Sequence, residues 1–200
     1  MEFTRKSINF FIIIFFSLIF LEKSYSIEPS IFVQSTVNRA SEALGSNFTQ
    51  NKKIEKLKDI ARETVDIRGI GLYTLGKHRK NLSKEQKITY LNLFEQYFLK
   101  TFSSRLAEYT NPEVSVKSFK KLNENYTMVS SVLVATEKRP EIKIEWRIYT
   151  KDPENLLIRD LIIEGLSLAR TQKEEFNSII LSNDGNIEYL FVSLNNFINK

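Results

Sequence analysis

An α+β fold, with helices covering a four-stranded antiparallel sheet in the order α-α-α-β-β-β-β-α-α, is what this sequence predicts. Three observations carry it: helical periodicity dominates residues 29–109, alternating and β-branched runs joined by short turns fill residues 114–163, and helical periodicity returns after Thr171. Runs of helices followed by a run of strands mark α+β rather than a parallel sheet with crossover helices.

The first helix starts near Pro29, and Val33, Val37, Ala40 and Leu44 recur along one face before Gly45 ends it. A second pattern runs from Lys52 to about Leu75 through Ile54, Leu57, Ala61 and Val65, with a break expected near Arg68-Gly69-Ile70-Gly71. Small residues there let another segment approach the backbone closely. The third helix is the clearest. Ser83-x-x-Gln86 is a capping box, and Ile88, Leu91, Phe94, Phe98, Phe102 and Leu106 form an aromatic-rich stripe over about 30 Å.

Four strands follow: Val114 to Phe119, Tyr126 to Thr136, Ile142 to Thr150 and Leu156 to Ile163. The third alternates cleanly, with Ile142, Ile144, Trp146 and Ile148 on one face. The connections are short and turn-rich, so successive strands pair antiparallel. Thr171-x-x-Glu174 reads as a second capping box opening a helix through Phe176, Ile179 and Ile180, and a last helix carries Ile187, Leu190, Phe191, Leu194 and Ile198.

Before these elements, Arg5-Lys6 precedes an uncharged run, Ser7 to Leu21, which is shorter than the ~20 residues a membrane-spanning helix needs. Ser24 and Ser26 supply the small residues of a cleavage site, so residues 1–26 read as a secretory signal peptide and residues 27–200 as a single domain. The chain has 29 Lys and Arg against 24 Asp and Glu, no cysteine and one histidine, His78. Thiol chemistry and cysteine metal sites are thereby excluded, and a Ser-His-Asp triad would have to use His78. No G-x-S-x-G elbow, P-loop or G-x-G-x-x-G motif is present. The positive charge is spread along the chain, which gives nucleic acid little to bind. No cofactor and no metal are expected, and the chain reads as a monomer.

The stretch Leu161 to Phe176, "LIIEGLSLARTQKEEF", places Leu166 and Leu168 in a strand–helix joint, where turn residues are usual. Two readings stand. The leucines fold under their own helices as core, or they rim an apolar cavity between sheet and helices.

The segment "EGLSLARTQKEEF" resembles the E-G-x-S-x-x-x-T-x-x-x-E-[FW] pattern of the MlaC family of periplasmic phospholipid carriers, also called toluene-tolerance proteins. "EWRIYTKDPENLLIRDLIIEG" is similar to that family's strand-turn-strand segment, and "LYTLGKHRKNLSKEQKITYLNLFEQYFLKTFSSRLAEY" to its central segment. Order and spacing hold from about Pro29 to Phe197. The resemblance implies a carrier rather than an enzyme, which takes up a glycerophospholipid with its tails inside and its head group outside. It further implies shuttling between an outer-membrane lipoprotein–porin complex and an inner-membrane ABC-transporter complex, which maintains outer-membrane lipid asymmetry. The residues implied to face lipid are Leu72, Leu75, Phe94, Phe98, Phe102, Val132, Ile144, Trp146, Ile148, Leu161, Ile163, Leu166 and Leu168. Each of them is equally at home in an ordinary core.

A pocket for two acyl chains needs on the order of 1,000 Å³. Left empty at about 24 cal/mol per Å³, it would cost more than the whole stability of a domain. The carrier reading therefore expects an empty protein that closes on itself or does not stay empty, with Gly69, Gly71 and Gly76 as hinges. A small cavity enzyme of isomerase or dehydratase type is the rival, with Asp160 beside Tyr149 or Tyr97 as acid and base. A carrier for another apolar lipid such as a hopanoid, and an adaptor with a solid core, complete the alternatives. As a buried acid in a strand, Asp160 needs a partner, and Arg147 or Arg159 is available. His78, in Lys77-His78-Arg79-Lys80, reads as a solvated loop or as a contact for a lipid phosphate or an acidic partner.

Overall fold

The computed structural model describes residues 27–109, 112–137 and 139–200, and the leader read at residues 1–26 lies outside them. Helix α1 (Pro29–Gly45) opens on its proline and buries Val33, Val37 and Leu44. Helix α2 (Gln50–Thr64) starts at the Thr49 cap, whose side chain accepts from the Lys52 amide, and buries Leu57, Ile60 and Ala61.

The second helical pattern is two helices, and it breaks at Val65–Asp66 rather than at Arg68–Gly71. Val65 adopts an extended conformation and bridges Ile158 of the sheet in parallel, while the Asp66 amide donates to the Ile158 carbonyl at 3.0 Å. The Asp66 carboxylate then caps helix α3 (Ile67–Thr74) through the Gly69 amide at 2.8 Å and pairs with Arg159. Gly69 and Gly71 stay helical, because what they supply is room. A Cβ on Gly71 would stand 2.8 Å from the Phe94 ring, and one on Gly69 would stand 2.7 Å from the Arg159 guanidinium carbon. Gly76, at φ +54, turns the chain into a 3-10 turn, Gly76–Lys80. Helix α4 (Lys84–Leu106) begins with the capping box read from the sequence.

The sheet is a five-stranded antiparallel meander, β1 (Val114–Asn123), β2 (Tyr126–Leu133), β3 (Ile142–Tyr149), β4 (Leu157–Ile163) and β5 (Leu166–Ser167), in that spatial order. The sequence expectation of four strands and three preceding helices is corrected, among the described residues, to five strands and four preceding helices. The fifth strand is two residues long, too short to show a period, and it exists because the Glu164-Gly165 turn folds the chain back on β4. Both turn residues have positive φ. Val65–Asp66 covers β4 at Ile158 and β5 covers it at Ile162 and Ile163, so the last long strand has no open outer edge at these residues.

Helix α5 (Leu168–Leu181) starts three residues before the Thr171 capping box predicts. Ser167 is the cap and accepts from the Arg170 amide at 3.1 Å, while the Thr171 hydroxyl, already inside the first turn, donates to the Ser167 carbonyl at 3.0 Å. Helix α6 (Glu188–Ile198) closes the chain against α4. One main core joins α1–α6 with β2, β3 and β4, and a smaller one gathers Leu44, Leu57 and Ala107.

Candidate functional site

On the sheet, alternation aligns apolar side chains across strands. Val129, Trp146 and Leu161 form one register row and Ser131, Ile144 and Ile163 the next. The Trp146 indole Nε1 donates to Ser131 Oγ at 2.8 Å, and that hydroxyl donates to the Ile144 carbonyl at 3.2 Å. With its one polar atom satisfied, the tryptophan offers the rest of its surface as apolar wall.

Helix α4 carries a graded aromatic stripe. Phe94 is 1% exposed, whereas Phe98 and Phe102 are half-buried. Phe94 stacks on Phe98 at 6.1 Å between ring centroids, and Phe98 on Phe102 at 5.6 Å and nearly parallel. Helix α3 closes over this stripe at Gly71. Its Thr74 hydroxyl is 2.8 Å from the Tyr90 hydroxyl, and burial pushes the Tyr90 phenol far above its ordinary value of 10.0. Burial also raises Tyr97, helped by the nearby Glu175 charge, and its hydroxyl donates to Gln172 Oε1 at 2.9 Å.

The residues carried over from the family resemblance fall into four groups. Leu75, Phe94 and Ile148 are sealed in the main core, so side chains fill the sheet–helix space there. Leu72, Phe98, Phe102, Trp146 and Leu161 are half-buried and packed against that core. Val132 and Ile144 line a groove of about 420 Å³ with Ser130, Ser131, Lys143, Ile162 and Glu164, and Ile163 is the register partner of Ile144. Leu166 and Leu168 stand apart, 59% and 43% exposed. They do not fold under their helix as buried core.

Sequence reasoning missed Phe32, Val114 and Val116, which are half-buried against the same core from α1 and β1. Phe32 adjoins Val33, and its signal was the helical stripe read through Val33, Val37, Ala40 and Leu44. A second groove of about 530 Å³ runs between the first turns of α1, at Ile31 and Gln34, and Val116 to Phe119 of β1.

Asp160 is 5% exposed and its carboxylate is fully engaged. One oxygen accepts from Ser167 Oγ at 2.6 Å and lies 3.9 Å from Arg147 Nη1, and the other accepts from the Ala169 amide at 3.0 Å. The partners imagined for acid–base chemistry are elsewhere engaged. Tyr97 serves Gln172, and the Tyr149 ring carries the Arg159 guanidinium at 4.6 Å. Asp160 therefore holds the β4–β5–α5 joint together. His78 Nε2 is 2.9 Å from Asn177 Oδ1, which pins the 3-10 turn to α5.

No curated protein matches the chain closely enough to count as a relative. Among solved structures, the chain is similar in fold to a phospholipid-binding protein from Ralstonia solanacearum in complex with a phospholipid. The TM-score is 0.73 at 18% identity, over 86% of this chain and 98% of that one. Residues 33–196 match the description "MlaC protein", a span that takes in the graded stripe, the sheet rows and the Asp160 joint. This chain belongs to the MlaC family.

Proposed function

We propose that this protein carries a glycerophospholipid through the periplasm, its acyl chains held between the sheet and helices α3 and α4, its head group at the surface. The observation that supports this most is family membership joined to a set of half-buried apolar residues, Leu72, Phe98, Phe102, Trp146 and Leu161, packed against the sealed core. The phospholipid in the similar Ralstonia solanacearum structure fits the same reading. In it, the sealed core is the closed, unladen state: tails enter as Leu75, Phe94 and Ile148 move apart, and apolar wall meets apolar tail as side chain met side chain.

The energetics suit a shuttle. Lipid tails leave one dry environment, a bilayer, for another, so the balance is close to even, although hiding them from water would be worth about 0.8 kcal/mol per methylene. Small preferences at each end then set direction, and the ends are the inner-membrane ABC complex and the outer-membrane lipoprotein–porin complex of the family. Organic extraction of purified protein followed by mass spectrometry is expected to yield diacyl phospholipid near one per chain. Repeated preparations with none would sink the reading, and hopanoid in its place would redirect it to that lipid.

A further inference from the structure

We propose that the turn Gly76–Lys80, with Tyr73 and Lys173 beside it, is a docking surface for an anionic phospholipid bilayer. The turn itself is local: Gly76, at φ +54, swings the chain out of α3 and leaves Lys77, Arg79 and Lys80 exposed. What the fold adds is a second row of charge. The His78–Asn177 contact lays the turn along α5, and there Lys173 Nζ sits 5.2 Å over the Tyr73 ring, with Arg170 exposed one turn earlier.

Among the described residues none of these five cations forms an ion pair. The nearest acids on α5 do not cancel the patch. Glu174 is exposed and single, and Glu175 accepts from Gln172 on the side facing Tyr97. The charge is therefore open to an outside partner. Three lysines, two arginines and one half-exposed tyrosine, all on long or amphipathic side chains, suit a mobile array of phosphates and the amphipathic zone of a bilayer surface.

The choice of a bilayer over an acidic protein rests on the carrier reading. Tyr73 directly follows Leu72, one of the half-buried apolar residues proposed to meet the tails, so a bilayer held at this turn lies next to that residue. The surface acts through charge, and its grip weakens with salt.

The test is co-sedimentation of the purified protein with vesicles of phosphatidylglycerol and phosphatidylcholine, against vesicles of phosphatidylcholine alone. Binding is expected only to the first and is expected to fall as salt rises. Replacing Lys77, Arg79, Lys80 and Lys173 together by glutamine should weaken it on the order of 100-fold or more, at about fivefold per cation, with the melting temperature unchanged. Equal binding by that variant, or equal binding to neutral vesicles, overturns the proposal. So does a wild-type protein that ignores anionic vesicles yet yields phospholipid on extraction, and the carrier reading then stands without this surface. Salt-sensitive binding by a protein that yields no lipid supports the surface and counts against the carrier.

Discussion

Asp160 shows how one side chain can be given its job by neighbours far off in sequence. Strand alternation alone makes it an awkward acid between Arg159 and Leu161. Its carboxylate instead fastens the end of β5 and the first turn of α5, through Ser167 and Ala169, while Arg147 at 3.9 Å adds little from its partly exposed position. Asp160→Asn keeps one acceptor and loses the charge, so urea unfolding is expected to show about 1–3 kcal/mol of destabilisation. The phospholipid extracted per mole of folded variant should be unchanged. Loss of lipid at full stability would move Asp160 from the joint to the ligand. The need for a partner was legible in the sequence, and the choice of Arg147 was among the options. Ser167 and Ala169 were not legible, because a hydroxyl and an amide next to a leucine carry no pattern.

Among the elements, the four long strands and the α4 capping box could be read, since each repeats a local rule several times. Three boundaries could not. The break at Val65 looks like ordinary helix because a valine fits a helical stripe, and only the bridge to Ile158 pulls it out straight. β5 has no period to detect. The α5 start was misplaced because Thr171-x-x-Glu174 satisfies the capping-box pattern, yet the strand pairing of Ser167 with Ile162 delivers an extended residue four positions earlier. A direct comparison follows. Ser167→Ala removes the cap and is expected to cost about 1–2 kcal/mol, whereas Thr171→Ala trades a hydroxyl in the first turn for better helix propensity and should stay within about 0.5 kcal/mol. Thermal unfolding of both variants settles the order, and a costlier Thr171 change would restore the sequence-based boundary.

For the whole molecule, the buried Tyr90 phenol sets an alkaline limit. Its pKa is raised on folding by burial, with Thr74 partly offsetting, so the charged form is disfavoured in the native state. Its contribution to stability is complete below the ordinary value of 10.0 and falls as pH rises past it. Denaturant midpoints are expected to hold up to about pH 9 and to drop steeply above pH 10, and Tyr90→Phe should blunt that drop. A variant with the same alkaline slope would place the titrating group elsewhere. Because Tyr90 packs on Phe94 and Phe176 in the sealed core, the same measurement reports how tightly the closed form holds together.

By itself the sequence determined the α+β class, the antiparallel order of the long strands, the aromatic stripe and the family likeness, because each rests on periodicities that a chain expresses locally. Only the tertiary structure decided that Leu75, Phe94 and Ile148 are sealed while Leu72, Phe98, Phe102, Trp146 and Leu161 stay half-buried against the core, and that Leu166 and Leu168 face solvent. It also decided that Lys173 joins the Lys77–Lys80 turn. The reason is common to all of these: burial and charge clustering depend on which distant segments meet, and a residue's own neighbours in sequence say nothing about that meeting.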